Sequence, residues 1–192
     1  MGRPKAWLPF GPEVLLQRVA RLLGEVAGPI VVVAAPGQDL PELPRSIAVV
    51  RDPIADRGPL QGIAAGLDHL PKGVEFAYAT ATDAPFLCPA WVARLVDLIG
   101  RYDLAIPESG GFLQPLAALY RTSVALPAVQ RLLAEDRLRM VELMEEIHGL
   151  KITAESMSLV DPNMTTLRNL NTPDDYHQAL RDAGFAADPQ EG

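Results

Sequence analysis

The sequence predicts an α/β fold whose sheet is mostly parallel with an antiparallel edge. Two patterns carry that expectation. Short, continuous apolar runs end in turn or polar residues, as buried parallel strands do, and the segments between them repeat their apolar residues at helical spacing. At 192 residues and 48% hydrophobic, the chain can bury one domain well and is short for two.

In chain order, Gly11-Pro12-Glu13 opens a helix in which Val14, Leu15, Val19, Leu22 and Leu23 recur, with Pro12 in its tolerated first turn and Gly24 at its end. Three strand candidates follow: PIVVVAA (Pro29–Ala35), SIAVVRD (Ser46–Asp52) and VEFAYATATD (Val74–Asp83). Helices are expected at Leu60–Leu70 and at Pro89–Ile99, the latter with Val92, Leu95, Val96 and Ile99 on one side. Leu104–Pro107 and Leu113–Tyr120 read as two strands around Gly110-Gly111, followed by a helix over Val124–Ala134. Arg139–Ile147 has helical spacing, Leu150–Met157 suits a short strand, and Thr172-Pro173-Asp174-Asp175 caps a final helix with acids at its positive end. The expected organisation is a single domain over 1–184 with a disordered tail at 185–192.

Charge and cysteine content exclude several classes. The net charge is −7 and the basic residues are dispersed, so no footprint for a nucleic acid is present. The single Cys88 forms no internal disulfide and reads as a structural thiol; with only His69, His148 and His177 beside it, a zinc site is not expected. No apolar stretch reaches the ~20 residues of a membrane span, and no signal-peptide pattern opens the chain, so the expected location is cytoplasmic.

Four places could carry chemistry. In TATDAPFL (Thr80–Leu87) a strand ends and delivers Asp83 at the edge where ligands bind in open α/β sheets. A lone carboxylate there suits Mg²⁺, which completes its shell with water and phosphate oxygens; the same Asp would serve equally as a turn cap. In RDPIADRGPLQGIAAGL (Arg51–Leu67) a strand with Asp52 and Asp56 after it runs through Gly58, Pro59 and Gly62 into a helix. Its amides could receive an anion, although a tight strand-to-helix turn explains the pattern without one. Lys5 could neutralise a phosphate chain or be an exposed terminal lysine. Asn169 and Asn171, two apart, would share a side if extended, or else bond locally at a helix entry.

Taken in order, MGRPK, DPIADRGPLQGIAAGL, TATDAPFL, QPLAALY and NLNTPDD resemble the motif series of the molybdenum cofactor guanylyltransferases and their nucleotidyltransferase relatives, over Met1 to about Leu180. The resemblance implies a Rossmann-like three-layer fold of the nucleotide-diphospho-sugar transferase type. It implies transfer of GMP from GTP to molybdopterin with Mg²⁺, and transient contact with molybdoenzymes or pterin-delivery proteins. Under it, Lys5 contacts phosphates and Asp83 binds the metal. Asp52, Gly58, Pro59, Leu60 and Gly62 lie on the nucleotide side; Gln114, Pro115, Arg139, Asn169 and Asn171 lie on the pterin side.

Two departures qualify the implied activity. Ala34-Ala35-Pro36 stands where relatives place an asparagine near the base, which leaves CTP as an alternative nucleotide. The family signature also runs from a first central strand through Leu-Ala-Gly-Gly-x-Ser-x-Arg into Met-Gly-x-x-Lys, of which only the last five residues are present. An empty central position would leave buried groups unpaired at ~1–3 kcal/mol each. The expectation is a start placed too late, or else a rearranged chain or a strand borrowed from a partner. A non-catalytic module that has lost its phosphate loop is the alternative of a different class.

Overall fold

The structure, a computed structural model, describes residues 4–52 and 57–185. After a 3₁₀ turn at Lys5–Trp7 come β1 (Pro9–Phe10), β2 (Glu13–Val14), α1 (Leu15–Gly24), β3 (Val31–Ala34), β4 (Ala48–Arg51), α2 (Pro59–His69), β5 (Phe76–Thr80) and α3 (Pro89–Ile99). The second half holds β6 (Leu104–Ser109), β7 (Phe112–Leu113), β8 (Ala117–Arg121), α4 (Thr122–Ala134), α5 (Met140–Glu146), β9 (Gly149–Ile152), α6 (Ala154–Met157), a 3₁₀ turn at Thr165–Leu167 and α7 (Pro173–Asp182).

Strand and helix alternate only from β4 to α3, since no helix separates β3 from β4, and the sheet is not mostly parallel. β3 and β4 form a separate parallel pair, while the larger sheet has the order β5-β8-β6-β7 with β9 on β6. β8 is antiparallel to both β5 and β6, and only β6 and β9 pair in parallel there. The cause is the turn at Gly110-Gly111, both at positive φ: the chain reverses after β6 and β8 inserts in the opposite sense. A local glycine pattern announces the reversal but not which strands the returning one will separate.

Two other expectations change. Pro12 lies in a β1–β2 hairpin rather than in α1, with Gly11 at φ +67 supplying the left-handed turn residue. Phe185, expected to open the tail, packs edge-on against Phe10 with ring centroids 5.5 Å apart, and its amide bonds to the Leu180 carbonyl. Residues 186–192 lie outside the described part. The stretch Leu150–Met157 divides into the end of β9 and the short α6.

Three apolar clusters hold these elements. α2, α4 and α5 pack on one face of the large sheet through Leu60, Leu67, Leu132 and Leu143. α3 packs on the other through Trp91, Val92 and Leu95, and α7 closes over Phe10 and Leu15 with Tyr176 and Leu180.

Between the β3–β4 pair and β5 the sheet is interrupted. A cavity of about 480 Å³ lies there, bounded by β3 and β5 edgewise, by Leu16, Val19, Ala20 and Leu23 of α1, and by Gly62, Ile63, Gly66 and Leu67 of α2. Val31, Val32 and Val33 and every residue of β5 are consequently only half-buried, although their composition is that of interior strands.

Candidate functional site

β5 ends at Thr80, and a turn carries Asp83 to the sheet's carboxyl edge, where the residue is 9% exposed. Two contacts hold Asp83 there and a third holds the turn two residues on. Lys5 Nζ donates to Asp83 Oδ2 at 2.5 Å, the Leu170 amide donates to the Asp83 carbonyl at 3.0 Å, and Arg18 Nε holds the Pro85 carbonyl at 2.8 Å. The Lys5 ammonium also donates to Asn171 Oδ1 at 3.3 Å. Lys5, Asp83 and Asn171, drawn from the two ends and the middle of the chain, therefore form one polar constellation.

The approach of Asn171 depends on the start of α7. Thr172 Oγ1 accepts the Asp175 amide, while Asp175 Oδ2 accepts the amides of Asn171 and Thr172 at 3.1 and 2.8 Å. The hydrogen bonds from Thr172, with a smaller one from Asn171, hold the Asp175 carboxyl below the usual carboxylate range. This is the capping arrangement expected of Thr-Pro-Asp-Asp, and it sets the backbone two residues upstream.

Asp52 closes β4 with its amide on the Ala34 carbonyl and stands with Gly58, Pro59 and Gly62 at the rim of the interstrand cavity. Gly58 precedes α2 at φ +74, a left-handed conformation that disfavours a side chain. Arg57 anchors the same turn to the end of α4 through Asp136 Oδ1 at 2.5 Å and the Leu133 carbonyl at 3.2 Å. The side chain of Leu60, expected on the nucleotide side, is fully buried in the core cluster with residues of α4 and the large sheet. Asp56 and Met1–Arg3 lie outside the described residues.

A second cavity, of about 440 Å³, is lined by Gly58 and Pro59 together with Gln114, Pro115, Leu167 and Asn169. It joins the turn before α2 to three of the residues expected on the pterin side. Arg139 lines neither cavity; it is the N-cap of α5, its amide held by Glu142.

Thr166, which borders the second cavity, was not anticipated from the sequence. Its amide and those of its neighbours organise around Asp161, which accepts Thr165 N, Thr165 Oγ1 and Thr166 N at 2.8–2.9 Å. Burial by itself would raise the Asp161 carboxyl; the hydrogen bonds from Thr166 and Thr165 outweigh it and hold the group below its ordinary range. The signal was an aspartate four residues ahead of a Thr-Thr pair, a local bonding pattern of Asp and hydroxyl residues.

Among the described residues no three His, Cys, Asp or Glu side chains cluster as a metal cage. A single, nearly buried carboxylate at a strand end still fits Mg²⁺ held largely by water and substrate phosphate oxygens. No helix of the described residues is long and apolar enough to cross a membrane.

Residues 1–148 match the family described as MobA-like NTP transferase domain. A curated relative from Pelotomaculum thermopropionicum, named "Probable molybdenum cofactor guanylyltransferase", is 31% identical over 93% of this chain and 85% of its own. Among solved structures, molybdopterin-guanine dinucleotide biosynthesis protein A from Archaeoglobus fulgidus superposes with a TM-score of 0.76 at 20% identity, over 95% of this chain and 92% of that one. The 2-C-methyl-D-erythritol 4-phosphate cytidylyltransferase of Thermus thermophilus superposes with a TM-score of 0.72 at 17% identity, over 94% of each chain. The likeness to the two structures is one of fold, an α/β nucleotidyltransferase architecture.

Proposed function

The chain belongs to the MobA-like NTP transferase family, and from that premise we propose that it transfers GMP from GTP to the terminal phosphate of molybdopterin and releases pyrophosphate. The curated relative's name supports the substrate pair. The observation that carries the reading is the Lys5–Asp83–Asn171 constellation at the carboxyl end of β5.

In this reaction an oxygen of the acceptor's terminal phosphate attacks the α-phosphorus of GTP. The bond from that phosphorus to the β-phosphate bridging oxygen breaks, and pyrophosphate leaves with the electron pair. Such transfers depend on positioning and electrostatic stabilisation, so the chain needs no covalent nucleophile. Asp83 would hold Mg²⁺, which when bound neutralises charge on the phosphate oxygens. Lys5 offsets charge accumulating on the pyrophosphate, and Asn171 keeps its ammonium in place before the nucleotide enters. Asp52, Gly58, Pro59 and Gly62 frame the nucleotide side; Gln114, Pro115 and Asn169 frame the pterin side.

The fold does not choose the base, because a cytidylyltransferase superposes nearly as well. Incubation with molybdopterin, MgCl₂ and either GTP or CTP, with pyrophosphate and the pterin dinucleotide measured, tests the reading. Dinucleotide formed with GTP and not CTP is expected. Preference for CTP replaces guanylyl by cytidylyl transfer, and no product with either nucleotide rejects the reading for this chain.

A further inference from the structure

Gly58 and Pro59, which open α2, line both cavities. Gly58 has no side chain with which to cap the helix, and Pro59 has no amide hydrogen. A hold on this turn comes from the residue before it. Arg57 Nη2 donates to the Leu133 carbonyl at 3.2 Å and to Asp136 Oδ1 at 2.5 Å, with 24% of its side chain exposed.

The receiving end is shaped for that contact. After α4 the Arg137 amide bonds to the Leu132 carbonyl at 2.9 Å and the Asp136 amide to the Leu133 carbonyl at 3.3 Å, the paired bonds that close a helix around one left-handed residue. That residue is Asp136, at φ +58, a conformation for which glycine is the ordinary choice. An aspartate adopts it less readily than glycine but brings a carboxylate, which Arg57 takes up although 82% of that side chain is exposed. Arg137 ties the same corner to α5 through Glu142 at 3.8 Å and Glu146 at 2.9 Å, and Leu132 is fully buried beneath it. The corner is a fixed post, and among the described residues neither Asp136, Arg137 nor any residue of α4 lines a cavity.

We infer that Arg57 is a positioning residue: clamped to the α4 corner by Asp136 and Leu133, it sets the place of the Gly58–Pro59 wall for the nucleotide and the acceptor together. The role rests on the guanylyl-transfer reading. It acts on binding rather than on the bond-breaking step, because Lys5, Asp83 and Asn171 hold one another through separate contacts. Release of the clamp lets the shared wall shift, and both substrates lose contacts at once.

Asp136→Gly separates positioning from stability, since it deletes the carboxylate yet gives the helix end the residue that its geometry favours. Its urea midpoint should be no lower than the parent's, while KM for the nucleotide and KM for molybdopterin each rise at least ~3-fold and kcat stays within ~2-fold. Arg57→Ala, which loses both bonds, should raise both constants at least ~10-fold. Arg57→Lys should fall between the two, since an ammonium keeps the attraction to Asp136 without the planar guanidinium's geometry. The nucleotide is whichever of GTP and CTP the parent chain turns over. Unchanged constants in Asp136→Gly, or a rise for one substrate alone, overturn the role of Arg57 and leave the transfer reading intact. So does an effect confined to the urea midpoint, which makes the pair purely structural. No dinucleotide from the parent chain with either nucleotide rejects the transfer reading, and this role with it.

Discussion

The ammonium of Lys5 lies 2.5 Å from Oδ2 of Asp83, although 78 positions separate the two residues in the chain. The pairing places a cation and a carboxylate side by side where β5 ends. It also makes the two residues separable by mutation, since Asp83 is nearly buried while the Lys5 side chain is 38% exposed.

Asp83→Asn should reduce Mg²⁺-dependent turnover by at least ~100-fold, as expected when an electrostatic group at the reacting phosphate is lost. The amide still accepts from Lys5, so stability should fall by no more than about 1 kcal/mol. Steady-state pyrophosphate release and a urea titration measure the two; retained turnover would reject Asp83 as the metal ligand.

Gly11→Ala should destabilise the chain by about 1–3 kcal/mol. A Cβ at Gly11 would sit 2.4–2.7 Å from the Phe185 ring, and the backbone is at φ +67. The ring is wedged against Phe10 and cannot swing away without opening the contact under α7. An unchanged urea midpoint would show that Phe185 is not packed there in solution.

Leu95→Ala and Val32→Ala should differ although both residues are aliphatic and interior in sequence. Leu95 is fully buried against α3's neighbours, so truncation should cost about 2–5 kcal/mol. Val32 borders the interstrand cavity and is half-exposed, so its truncation should cost no more than about 1.5 kcal/mol. Equal losses in chemical denaturation would mean that the cavity is filled in the protein as it stands.

Acid should weaken the loop that carries Asn169 and Asn171. The Asp161 carboxyl is held below its ordinary value in the folded chain, so its contribution is fully present above the unfolded value of about 3.9 and is lost as pH falls towards the folded one. Asp161→Asn should lower stability at neutral pH and flatten its dependence on pH below about 4. Urea midpoints measured across that window provide the check; a mutant with undiminished acid dependence would assign the effect to other carboxylates.

Much of the fold is legible in the sequence because local physics determines it. The apolar run VVVA, the helix Pro89–Ile99 and the Thr172 cap are each set by neighbours within a few residues, and each forms within a residue or two of its expected place. Asp83 could be singled out for the same reason: a strand that ends in a carboxylate places it at the sheet's edge in most arrangements. Arg139 had no such local logic, and it caps a helix away from both cavities.

The sequence by itself determined β3, β4, α2, α3, α4 and α7 to within a few residues, and the place of Asp83 beyond the end of β5, because side-chain periodicity and capping act over short range. Only the tertiary structure decided that β8 runs antiparallel between β5 and β6, that Leu60 turns into the core, and that Lys5 meets both Asp83 and Asn171. Those outcomes depend on which backbone edges and apolar faces find one another across the whole chain. The cavity between β3 and β5 belongs to the same class, since its walls are set by which partners the described strands take elsewhere.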